Sequence, residues 1–168
     1  MQTSRDTGAI APRVMPSVPA STASFLQNWQ FYDFALHNYV YWPLESMTGF
    51  LSVVPGQTCV FRWRALKHSD TNEREPDPVH TYLRGLHTSR AVERVMYLAE
   101  DRIIGSEIVL TRDQNWTLDY LPEAGATTDA CTTYPELFRQ RRRWINSAAA
   151  CRLWLLADFS RARAGREV

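Results

Sequence analysis

The chain has few cysteines and no usable spacing among them. Cys59, Cys131 and Cys151 are odd in number, far apart and without a C-x-x-C pair, which excludes a disulfide scaffold and a structural zinc site and suits a reducing compartment. No apolar run reaches the roughly 20 residues that a membrane-spanning helix needs. The most apolar stretch, residues 148–157, is short and interrupted by Arg152. The N-terminus has no apolar h-region, so no secretory signal is expected. An excess of one charge is also lacking: 19 basic against 18 acidic residues give a net charge of +1, and no nucleic-acid partner is expected. There is no internal repeat and no D-x-D tripeptide. What is present suffices for a core, because 45% hydrophobic and 22% charged residues in 168 make one ordinary domain or part of a larger one.

Residues 1–22 are rich in Pro, Ser, Thr and Ala, with Pro12, Pro16 and Pro19 spread through them, and the reading is a flexible leader. Aromatics then crowd in from Phe25. Leu26, Trp29, Asp33, Leu36 and Val40 recur at helical spacing, which predicts a helix over residues 25–42 ended by Pro43. Residues 50–54 and 59–66 are β-branched and aromatic, and read as two strands joined by a Pro55-Gly56 turn. A polar surface loop follows over residues 67–78, then helices over 80–94 and 102–112. Residues 116–121 alternate as a strand, and 125–132 read as a loop or short edge strand. Thr133-Tyr134-Pro135-Glu136 forms a capping box that starts a helix from Tyr134 to about Asp158. The order of elements is α/β, with the domain over residues 23–160 and a basic tail over 161–168.

Two constellations could carry chemistry. The first is Leu98-Ala99-Glu100-Asp101-Arg102 at a helix start, where the helix dipole favours an ionised carboxylate. Such a group suits helix capping, or a general base acting on a hydroxyl nucleophile. The second is Gln140-Arg141-Arg142-Arg143-Trp144. Helical geometry puts Gln140, Arg143 and Trp144 on one face and points Arg142 away. A guanidinium can clamp a phosphate and an indole can floor a sugar ring, although a solvated basic helix with one buried tryptophan has the same spacing.

Together, and in this order about 40 residues apart, the two closely resemble the chitin synthases, a processive branch of the family-2 glycosyltransferases. Gln27-Asn28-Trp29-Gln30-Phe31 is similar to that family's Q-x-F-E-Y helix, with Gln30 in place of glutamate. Pro43-Leu44-Glu45-Ser46 and Ser52-Val53-Val54-Pro55-Gly56 resemble its P-L-E-S and S-V-L-P-G-A segments. Thr128-Asp129, Pro135-Glu136-Leu137 and Trp144-Ile145-Asn146 match the surroundings of its Q-R-R-R-W helix.

The resemblance implies the C-terminal, acceptor-side part of a GT-A-like domain with a mixed sheet and helices. Asp101 would be the general base on the acceptor hydroxyl, with Glu100 and Arg102 holding its position and protonation. Gln140 and Arg143 would contact the donor diphosphate, Trp144 would floor the acceptor sugar, and Pro55-Gly56 would turn beside the acceptor terminus. Asp101 and Trp144 should then be on the order of 5–10 Å apart, about one sugar. The reaction implied is transfer of N-acetylglucosamine from UDP-N-acetylglucosamine to the 4-hydroxyl of a growing chitin chain, at the cytoplasmic face of the plasma membrane. It also implies a divalent metal, Mg or Mn, whose D-x-D ligands are absent from this chain. Glu75-Pro76-Asp77 imitates that motif poorly, in a proline-rich loop. The family's later S-W-G-T motif and channel-forming helices are likewise absent, the family's glycine after Asn146 is Ser147, and the stretch from Gln27 to Pro43 is a few residues longer. An isolated chain is therefore expected to lack turnover. A hyaluronan- or cellulose-synthase-type transferase and a non-catalytic module docking to a synthase or a chitin end are the alternatives.

Overall fold

The computed structural model describes residues 6–67, 77–110 and 115–164. The architecture is α/β, built on a three-stranded mixed sheet in the order β2-β1-β3. The central strand β1, Thr7–Ser17, runs antiparallel to β2, Val60–Phe61, and parallel to β3, Thr117–Asp129. The strand β1 corrects the leader reading. Its Ala9, Ala11 and Val14 are buried, although the prolines among them make the segment read as a leader.

The prolines are tolerated because β2 pairs only with Ala9 and Ile10, so beyond that point β1 has an open edge. That edge is covered by one side chain. Asn38 accepts from the Val14 amide at 3.1 Å and donates to the Val14 carbonyl at 2.8 Å, taking the place of a neighbouring strand. It also donates to the Phe34 carbonyl and accepts from the Tyr120 hydroxyl, all while 1% exposed. Asn38→Leu should cost roughly 2–5 kcal/mol, since it strands the buried Val14 amide and carbonyl together. Urea titration checks this, and an unchanged midpoint would show that water replaces the amide.

Helix α1, Phe25–Leu36, runs without a break into a π-helical turn at His37–Tyr41 and then α2, Trp42–Ser46. Pro43 therefore does not end the helix. It directly follows the wide turn, where the Trp42 amide reaches back five residues to the His37 carbonyl, so the helical ladder is already shifted at the proline. The wide turn falls within the stretch that is longer than the family pattern, and such turns absorb inserted residues. Gln30 is buried and pairs with the Cys131 backbone, accepting from its amide at 3.0 Å and donating to its carbonyl at 2.9 Å. An ionised glutamate there could not donate. The Gln-for-Glu departure thus has a structural reason.

The two expected strands at residues 50–54 and 59–66 shrink to β2 and a short helix α3, Trp63–Leu66. Segment 50–54 is extended, but its backbone is used elsewhere. Glu45 accepts from the Ser52 amide at 2.9 Å, and the Val54 amide donates to the Asp101 carbonyl at 2.7 Å. Helices α4, Pro78–His87, and α5, Ala91–Tyr97, replace the single helix expected over residues 80–94. Between them the Thr88 hydroxyl accepts from the Arg90 amide and donates to the Glu93 carboxylate, turning the chain. Helix α6, Glu100–Leu110, starts two residues before the expected Arg102 and so takes in the acidic pair; the expected end at residue 112 lies outside the described residues. The expected loop or short edge strand at 125–132 continues β3 as far as Asp129.

Helix α7, Tyr134–Ala164, starts where expected but runs past Asp158 into the residues read as a basic tail. Glu136 reaches back to the Thr132 amide at 3.2 Å, one residue before the expected cap. The main core joins Ala9 and Ala11 of β1 and Leu118 of β3 to Trp42, Leu51, Val54, Ala65 and Ile108. A second cluster packs Ile103 of α6 against Ala150 and Cys151 of α7. That contact holds α6 against the middle of α7.

Candidate active site

Helix α6 starts on the Ala99 carbonyl, which accepts from the Arg102 and Ile103 amides at 3.0 Å each. Glu100 and Asp101 therefore occupy the first turn, and neither is the capping residue. The Ser52-to-Gly56 segment folds over this turn and is held there three ways. The Asp101 carbonyl takes the Val54 amide, Arg102 Nη1 donates to the Ser52 carbonyl at 3.3 Å, and Glu45 fixes the Ser52 amide. Gly56 comes close to Glu100, since a Cβ there would lie 2.9 Å from Glu100 Oε1, the flexible end of an exposed side chain. On the inner side, a Cβ at Gly105 would lie 3.1 Å from Val54 Cγ2 and 3.2 Å from Leu118 Cδ1, so α6 sits tight on the loop and β3. Pro55, Gly56, Glu100, Asp101 and Arg102 thus lie close together in the fold.

Asp101 carries the main electrostatic correction. Helix-dipole reasoning favours its ionised form, but burial pushes its carboxyl above the usual carboxylate range. The positive charge of Arg102 opposes that shift, the neighbouring Glu100 adds to it, and Arg143 opposes it from across the site. An influence of Arg143 on Asp101 means that the acidic turn of α6 and the basic stretch of α7 share a field. The thiols of Cys131 and Cys151 are pushed up by burial, which leaves them mostly protonated and poor nucleophiles at neutral pH.

Along α7, Arg143 is exposed while Gln140 and Trp144 are half-buried. Trp144 turns toward α1, where Phe34 lies at 6.2 Å between ring centroids. Sequence reasoning overlooked Arg141, treated there only as one of three consecutive arginines. Its guanidinium lies over the Trp144 ring at 4.5 Å and over the Trp29 ring at 5.2 Å, and its Nη1 pairs with Asp33 Oδ2 at 2.8 Å. The available signal was the spacing of Trp29 and Asp33, one turn apart on α1.

Among the described residues no group of three His, Cys, Asp or Glu side chains could hold a metal ion. Of Glu75-Pro76-Asp77, the first two lie outside the described residues. No described helix is long and apolar enough to cross a membrane.

A half-buried carboxylate thus lies beside the Pro55-Gly56 turn, and α7 carries the basic, indole-bearing stretch. Residues 1–159 match the model of the chitin synthase-like glycosyltransferase domain. Chitin synthase 3 of Verticillium dahliae is 38% identical over 134 residues, which are 77% of this chain and 15% of that protein. Chitin synthase I of Metarhizium acridum is 38% identical over 135 residues, again 77% of this chain and 15% of that protein. The chain belongs to the chitin synthase-like glycosyltransferase family. It spans about 15% of the length of these two relatives.

Proposed function

We propose that this chain supplies the acceptor side of a chitin synthase reaction, transfer of N-acetylglucosamine from UDP-N-acetylglucosamine to the 4-hydroxyl of a chitin chain. The observation that carries the reading is the packing of the Ser52-to-Gly56 loop on the Glu100-Asp101-Arg102 turn, with the charge of Arg143 acting on the half-buried Asp101 carboxylate. The Asp101 carboxylate takes the acceptor hydroxyl proton as that oxygen attacks the anomeric carbon. The bond from that carbon to the diphosphate oxygen breaks, UDP leaves, and the configuration inverts. Glu100 and Arg102 hold the base, Gln140 and Arg143 face the diphosphate, Trp144 floors the acceptor sugar, and Pro55-Gly56 borders its terminus. The divalent metal of the implied reaction finds no ligand set among the described residues, and no step here passes through it. The setting proposed is the cytoplasmic face of the plasma membrane, with the nucleotide sugar and chitin oligosaccharide as partners.

The test is a graft in which this chain replaces the matching segment of the Verticillium dahliae synthase. Membranes bearing the graft should incorporate labelled N-acetylglucosamine into chitin, and a well-expressed graft with no incorporation would overturn the reading. The pH profile provides a sharper check. Arg143 favours the ionised form of Asp101, so Arg143→Gln should move the acidic limb of kcat/KM to higher pH. An unmoved limb would mean that Asp101 does not set it.

A further inference from the structure

Arg141 has no part in the reaction as proposed, yet it is the most heavily engaged side chain of the basic stretch. Its Nη1 is tied to Asp33 of α1 at 2.8 Å. Its Nε and Nη2 are buried with no hydrogen-bond partner among the described residues. Leaving two nitrogens of a cation dry is unfavourable unless something else attracts the charge. Here two indole rings do so, Trp144 at 4.5 Å and Trp29 at 5.2 Å from the guanidinium carbon. Phe34 meets Trp144 with its plane tilted by 59°. The Trp144 ring is therefore fixed by a stacked cation, which is in turn fixed by a carboxylate on another helix.

We infer that Arg141 is a positioning residue for the acceptor sugar, holding the Trp144 indole through a Trp29–Arg141–Trp144 stack anchored on Asp33. The inference rests on the reading of Trp144 as the sugar platform. With one face of the indole on the guanidinium, the sugar takes the opposite face, and α1 becomes part of the acceptor site without touching substrate. The planar guanidinium matters as well as the charge. A lysine could keep the pair with Asp33 but could not present a flat surface to both rings.

The experiment uses the grafted synthase with chito-oligosaccharide as acceptor, comparing Arg141→Lys, Arg141→Met and Trp144→Ala. Arg141→Lys should raise the acceptor KM about tenfold and leave the donor KM within about twofold, a split that general loss of structure would not produce. Arg141→Met should do the same more strongly. In the ungrafted chain, both Arg141 variants should alter near-ultraviolet circular dichroism from the indoles while far-ultraviolet helicity is kept. If Trp144→Ala raises the acceptor KM and both Arg141 variants leave it unchanged, the positioning role is wrong and the platform stands. If Trp144→Ala itself leaves acceptor KM unchanged, the platform reading fails and this inference with it. Equal loss for donor and acceptor in the Arg141 variants would also overturn it, by showing a purely structural tie.

Discussion

Asp101→Asn in the grafted synthase should reduce chitin formation by about 10²- to 10⁴-fold, the range expected for loss of a general base. The amide keeps the size and shape of the carboxylate, so the Asp101 carbonyl should still hold the Val54 amide and the loop above it. The same variant should not weaken the fold. Burial raises the Asp101 pKa, so its contribution to stability is fully present below the ordinary carboxylate range and is lost as pH rises through the raised value. At neutral pH the ionised group opposes folding, and a neutral asparagine removes that opposition. Urea titration should then show the variant at least as stable as the parent at pH 7, with the difference shrinking as the solution is acidified. A residue that loses activity while stability holds or rises is retained for its chemistry. The opposite pattern, normal incorporation with a weaker fold, would make Asp101 a helix-end charge and nothing more.

Deleting Thr7–Ser17 should abolish the cooperative unfolding transition altogether. A flexible leader could be removed with little effect, because it makes no packing contacts. A central strand cannot. Removal of β1 takes Ala9 and Ala11 out of the main core, leaves β2 and β3 with no common neighbour, and strips Asn38 of three of its five hydrogen-bond contacts. The Thr7 hydroxyl bond to Asp119, at 2.6 Å, and the Arg62 bond to the Thr7 carbonyl, at 2.7 Å, go with it. Thermal unfolding followed by circular dichroism distinguishes the cases. A sharp transition near that of the full chain would return these residues to the status of a leader.

The membership of the chain in its family was legible in short words of sequence, because sugar-transfer chemistry needs particular residue types in a particular order. Glu100-Asp101-Arg102 and Gln140-to-Trp144 were found that way, and α6 and the start of α7 follow from local signals the sequence carries within a few residues. The Pro-Leu-Glu-Ser word was also legible, but its work was not. Glu45 holds the Ser52 amide, and Ser46 Oγ accepts from the Tyr120 amide at 3.1 Å, so the motif builds the site rather than entering it.

What only the tertiary structure decided depends on partners distant in sequence. Strand β1 was invisible because alanines and prolines carry little β signal, and it exists through pairing with β3 and through Asn38. Residues 50–54 have the composition of a strand, yet their amides are taken by Glu45 and by the Asp101 carbonyl. Burial raises the Asp101 pKa, and burial comes from the packing of the folded chain. Arg141 reads as one arginine of three until α1 places Asp33 and Trp29 against it. Local propensity and motif wording travel along the chain, whereas burial, pairing and stacking belong to the folded molecule.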